Sequence, residues 1–170
     1  WQQGGEEAAA ARQLAVGIAH LGLGVQVLLA IRPVELDVRA AEEDRRIEGV
    51  PMFDGAFTTG DGVTGRLGSL GSTAEIGVVE TLPANVAQIG DVDVLSAARR
   101  SRHKAVILIT GGSRPGLFLI NAADSTNPAG PPMLQVSSVE SAWLKEQVQT
   151  HSQATVVVHA TREHAQAFNV

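Results

Sequence analysis

The segment Ala105-Val-Ile-Leu-Ile-Thr110 is apolar at every position except its last. A half-exposed strand would alternate apolar and polar residues, and this one does not, so other layers must cover both of its faces. That places it at the centre of a folded domain. Gly111-Gly112-Ser113-Arg114-Pro115-Gly116 breaks the run, and Leu117-Phe-Leu-Ile-Asn121 reads as a second strand after a tight turn. Pro132-Met-Leu-Gln-Val-Ser137 is a third strand. Ser137 and Glu140 then have the spacing of a capping box, which predicts a helix with Val139, Trp143, Leu144 and Val148 on its buried stripe. No acid, base, nucleophile or metal-ligand cluster stands at the ends of these strands, where an α/β enzyme would place one.

The remaining segments extend the pattern. Residues 6–23 predict an amphipathic helix, with Leu14, Ile18 and Leu21 at three- and four-residue spacing and Glu6 and Glu7 at its positive end. Val25 to Ile31 predicts a strand, and Val34-Glu-Leu-Asp-Val38 alternates like a half-exposed one. Residues 42–46 predict a hairpin tip. Short strands are expected at residues 63–70, 76–79 and 154–158, and a helix at residues 91–103 whose basic end complements its dipole. Phe168-Asn-Val170 reads as the start of another strand.

Composition excludes several classes. The 170 residues carry a net charge of −5, which argues against a nucleic-acid partner, since phosphate binding needs a concentrated basic face. No run approaches the roughly 18 apolar residues of a membrane helix. The chain has no cysteine, which removes disulfides, thiolate zinc sites and thiol nucleophiles and leaves the compartment undetermined. Aromatics are only 4%, so the core must be built from aliphatic side chains.

Candidate chemistry is sparse. The five histidines, His20, His103, His151, His159 and His164, form no metalloprotease spacing and are expected to be structural. Residues 111–116 lack the Gly-Lys-Ser/Thr ending of a phosphate loop, and a strand is expected to follow them, so a tight turn accounts for the glycines. Arg114, a cation on a loop, is the candidate contact for a substrate carboxylate or a partner surface, together with Asn121 and Asp124 in the following loop.

The order of elements resembles the zinc-dependent aminopeptidases of the glutamate carboxypeptidase and transferrin receptor clan. Glu6-Glu-Ala-Ala-Ala-Ala-Arg12 and Leu21-Gly-Leu-Gly-Val25 look like the opening of the peptidase domain in that family. Ile47-Glu-Gly-Val-Pro-Met-Phe-Asp-Gly55, with Gly62-Val-Thr-Gly65, looks like the start of the inserted protease-associated domain. Residues 105–110, 117–121 and 131–138 look like its central strands, and Ala167-Phe-Asn-Val170 like the strand returning to the peptidase core. The resemblance implies a remnant of the peptidase domain at residues 1–31, a protease-associated domain at 32–166 and the returning strand at 167–170. It also implies that the zinc ligands lie beyond this chain, so that zinc is expected only in the missing catalytic domain and no cofactor in this chain. A chain that opens on Trp1 and stops at Val170 is then expected to be an excised inserted domain.

The expectations are an α+β fold, a β-sandwich or distorted β-barrel flanked by two helices, plus the N-terminal amphipathic helix. The expected function is non-catalytic: shaping substrate access or mediating protein contacts for a zinc-dependent exopeptidase. The parent peptidase domain is the expected partner, with a homodimer through Leu14, Ile18 and Leu21 as a further contact. The alternatives are a free-standing α/β domain that binds or senses a small molecule, and an enzyme whose site draws on Asn121, Asp124 and His159.

Overall fold

The structure, a computed structural model, describes residues 25–31, 34–40, 43–52, 55–81, 89–112, 114–118, 120 and 128–166. Among the described residues, ten strands run in chain order: β1 (Val25–Ile31), β2 (Glu35–Arg39), β3 (Asp44–Glu48), β4 (Val50–Pro51), β5 (Val63–Ser69), β6 (Ile76–Thr81), β7 (Ala105–Thr110), β8 (Met133–Ser137), β9 (Gln153–Val157) and β10 (Ala160–Gln166). Helix α1 (Ile89–Arg99) lies between β6 and β7, and α2 (Ser141–Gln149) between β8 and β9. The predicted N-terminal helix and the predicted strand at 168–170 fall outside the described residues.

The chain forms two units. The first takes in Trp1–Arg32 and Ala160–Val170, and in it β1 pairs antiparallel with β10 from Val25↔Gln166 to Ile31↔Ala160. The second, Pro33–His159, holds an eight-stranded sheet of order β3-β2-β9-β5-β6-β7-β8-β4 and both described helices. This is the expected α+β class.

The two ends of that sheet are adjacent in the chain. β3 pairs with β2 and β4 pairs with β8, yet only Gly49 separates β3 from β4. The chain thus passes from one end of the sheet to the other through Gly49, which curls the sheet into a distorted barrel. Gly49 makes this passage possible. A Cβ there would lie 2.5 Å from Leu134 Cδ1 and 2.6 Å from the Gln135 carbonyl oxygen. On the opposite side, β5 switches partners partway along: residues 63–66 pair antiparallel with β9 and residues 67–69 parallel with β6. That parallel overlap is three residues long, so residues 70–75 need double back only about 10 Å, and no long crossover is required.

Register sorts the core into two faces. Leu36, Val38, Ile47, Leu67, Ile76, Val78, Ile107, Ile109, Leu134, Val136, Ala154 and Val156 are all buried and share the inner face, so aliphatic side chains fill the barrel. The outer face of β7 and β8 (Val106, Leu108 and Met133) packs with Leu95 and Ala98 of α1, and with Met52 and Ile120. All six residues of β7 are buried, as its unbroken apolar run requires.

Several expectations need correction. Residues 117, 118 and 120 are not a strand. β7 already has β6 on one side and β8 on the other, so no edge is open to a neighbouring segment. Residues 111–116 therefore open a crossover loop to β8 and are not a hairpin turn. The first helix runs from Ile89 only to Arg99, and His103 turns inward at 6% exposure. Asp44 to Arg46, expected in a hairpin tip, belong to β3.

The stripe of α2 also differs. A 3-10 turn, Ser138–Glu140, precedes the helix, and the Ser137 hydroxyl caps it by accepting from the Val139 N–H. The extra turn carries Val139 out to 64% exposure, leaves Trp143 and Val148 half-buried, and makes Leu144 and Gln147 the buried positions. Glu140 does not complete a capping box. Its Oε2 lies 3.2 Å from Arg45 of β3.

Candidate functional site

The C-terminal ends of the parallel strands β6, β7 and β8 are where an open parallel sheet would gather its ligand-binding groups. Here each strand ends on a hydroxyl. Thr81, Thr110 and Ser137 stand side by side in register, on the same face. Two of the three hydroxyls hold backbone in place. Thr110 Oγ1 donates to the Val136 carbonyl at 3.1 Å and accepts from the Phe118 N–H at 3.2 Å, and Ser137 caps the 3-10 turn. Thr81 Oγ1 is buried without a hydrogen-bond partner, while the Thr81 carbonyl accepts from the Gly111 N–H at 2.8 Å.

The loop after β7 is fastened at three places. The Gly111 bond to Thr81 fixes its start. Gly116 and Ser138 exchange bonds in the middle: Ser138 N–H to the Gly116 carbonyl at 3.0 Å, and Gly116 N–H to Ser138 Oγ at 3.1 Å. Ile120 N–H donates to Gln135 Oε1 at 2.7 Å at the far end. Gly116 sits at φ +154°, the margin of the region that favours glycine. The clasp leaves Arg114 and Pro115 exposed on the loop, with Leu117 40% and Val139 64% exposed on either side of the Gly116–Ser138 contact.

Of the three contact residues expected from the sequence, the structure describes Arg114 and shows it exposed; Asn121 and Asp124 lie outside the described residues. Val139 is the neighbour that sequence reading missed, because helical periodicity assigned it to the core.

Beside this end of the barrel, Glu80 accepts from Lys145 Nζ through Oε2 and from the Ser141 hydroxyl through Oε1 at 3.1 Å. The Lys145 bond, with help from Ser141, holds the Glu80 carboxyl below its ordinary value, against a smaller opposing effect of burial. This pair ties α2 to β6.

The described histidines contact backbone. His103 Nδ1 lies 2.7 Å from the Ala74 carbonyl, and its Nε2 accepts from the Gly71 N–H at 3.0 Å. His151 and His159 each bring Nδ1 near one carbonyl, of Leu67 at 3.3 Å and Thr58 at 3.4 Å. His20 is outside the described residues, and only the backbone of His164 is described. Among the described residues, no group of three or more His, Asp or Glu side chains could hold a metal ion, and no helix is long and apolar enough to cross a membrane.

No family model and no curated protein matches the chain. Its fold is similar to those of solved peptidases. A peptidase M28 precursor from Shewanella amazonensis aligns with TM-score 0.60 at 9% identity, over 84% of this chain and 38% of that one. A zinc aminopeptidase from Bacillus subtilis gives 0.52 at 19% identity, over 82% of this chain and 35% of that one. An aminopeptidase from Aneurinibacillus gives 0.51 at 18%, over 84% and 36%. The chain thus spans little more than a third of the length of these neighbours.

Proposed function

We propose that this chain is the protease-associated domain of a zinc-dependent, aminopeptidase-like exopeptidase, and that its role there is non-catalytic. The observation that carries the reading is the likeness in fold, which takes in more than four-fifths of this chain but little more than a third of each peptidase. The distorted barrel supports it: aliphatic side chains fill its interior, so the surfaces left for recognition are the loops at its rim.

In this reading, residues 1–31 and 167–170 are pieces of the peptidase body, and residues 32–166 are the protease-associated domain. Zinc belongs to the catalytic domain. The described side chains do not fit a zinc site, so no catalytic step is assigned to them. Arg114, with Leu117 and Val139 beside it, is the surface offered to substrate or to the parent peptidase domain, and Asn121 and Asp124 belong to the same loop. Dimerisation through Leu14, Ile18 and Leu21 is the further contact proposed, and a monodisperse monomer in light scattering counts against it.

Calorimetric titration of the purified chain with zinc tests the reading. Heat of dilution alone is expected. Stoichiometric binding with a dissociation constant below about 1 μM, typical of a built metal site, would overturn it.

A further inference from the structure

Trp143 is misplaced for a core residue. The chain has two tryptophans, four phenylalanines and no tyrosine, so large aromatic surface is scarce, yet Trp143 stands half-buried at the surface. It lines a cleft of about 480 Å³ between α2 and the hairpin of β2 and β3, together with Arg39, Glu43, Glu146, Gln147 and Ser152. That volume suits a small ligand.

Two of its lining side chains are fastened by contacts of their own. Arg45 lies over the Trp143 ring, its Cζ 5.1 Å from the centroid, and is held there by Glu140 at 3.2 Å. The indole is therefore fixed by a cation–π contact that is itself anchored by an ion pair. Gln147 is only 7% exposed, and its Oε1 accepts from the Ser152 hydroxyl at 2.8 Å, which orients the amide. A buried amide, the hydroxyls of Thr150 and Ser152, two carboxylates and one guanidinium thus stand around the indole.

The mixture of groups selects the ligand class. Glu43 and Glu146 oppose an anion, and a neutral molecule rich in hydroxyls can hydrogen-bond to these carboxylates and to Arg39 alike. A pyranose offers a C–H face to an aromatic ring and pairs of vicinal hydroxyls to planar groups such as carboxylate, amide and guanidinium. We propose that this cleft binds a neutral saccharide, with Trp143 as the stacking platform and Glu43, Glu146, Gln147 and Arg39 as the hydroxyl-binding groups. The inference is independent of the peptidase reading, since the cleft lies wholly within the barrel unit.

Trp1→Phe in the full chain leaves Trp143 as the sole indole, so its emission reports on the cleft. This variant is titrated with maltotriose and with N-acetylchitotriose, with trilysine and inorganic phosphate as charged probes. A saturable change in emission is expected with a trisaccharide at up to about 10 mM, in the range of weak specific binding, and not with either charged probe. Calorimetry of Trp143→Ala is expected to show affinity reduced roughly tenfold or more, as loss of a stacking platform implies, and the exposed change Glu146→Gln a smaller loss. The proposal is overturned if neither trisaccharide perturbs Trp143, if only trilysine or phosphate does, or if Trp143→Ala binds as tightly as the parent.

Discussion

Ile120 and Gln135 are joined by a buried hydrogen bond, backbone N–H to Oε1 at 2.7 Å, which pins the long crossover loop onto the outer face of β8. The same amide reaches the other way, its Nε2 3.4 Å from the Pro51 carbonyl. One side chain at 1% exposure thus links the loop, the central sheet and the end strand β4.

Gln135→Leu keeps the volume but strands the Ile120 N–H. An unpaired buried donor costs about 2 kcal/mol, so urea unfolding should show a loss of that size with an unchanged m-value. A loss below about 0.5 kcal/mol would mean that the loop is not held there.

The passage through Gly49 predicts a contrast between two glycines. Gly49→Ala forces a methyl against Leu134 and the Gln135 backbone and should cost about 2–3 kcal/mol. Gly60→Ala meets nothing within 4 Å and should stay within about 0.5 kcal/mol of the parent. Thermal denaturation of the two variants side by side measures the difference.

Glu80 gives a signed pH dependence. Its folded carboxyl titrates below its unfolded value because Lys145 and Ser141 bind the charged form. Its contribution is complete above the ordinary glutamate range and is lost as pH falls through the lower, folded value. The Glu80 and Lys145 side chains are 41% and 56% exposed, so the contribution is under about 1 kcal/mol. Unfolding of Glu80→Gln should show slightly lower stability than the parent at pH 7 and converge with it in acid.

His151 follows α2 in the left-handed region, at φ 53°. That conformation costs a side-chain-bearing residue about 1 kcal/mol, so His151→Gly should raise stability by about 0.5–1 kcal/mol and His151→Val should lower it by at least about 1 kcal/mol. Equal effects of the two substitutions in urea unfolding would contradict the turn geometry.

The strands were legible where local pattern was enough. The apolar runs at β1, β7 and β8, bounded by glycine and proline, announce themselves, and the alternation in β2 shows which side of it is buried. A distorted barrel was among the expected folds, but the pairings that form it were not legible, since two distant ones meet at Gly49. Leu117-Phe-Leu-Ile120 misled for the opposite reason: a short apolar run looks like a strand whether or not a partner edge is free. β10, with Thr161, Arg162, Glu163 and His164, is too polar to register as a strand until β1 is beside it. At the candidate site, the glycines and proline around Arg114 mark the end of β7 and an exposed Arg114, but not the tight turn expected of them. The placement of Val139 and Trp143 was hidden by the 3-10 turn, which shifts the start of the helix and with it the face that is buried.

On the proposed reading, this chain is a scaffold for chemistry performed elsewhere. The most direct measurement is hydrolysis of an aminoacyl anilide by the purified 170-residue chain supplied with zinc. Release of the aniline no faster than in zinc buffer alone is expected. Saturable, zinc-dependent turnover that is lost with a chelator and restored by the metal would contradict it.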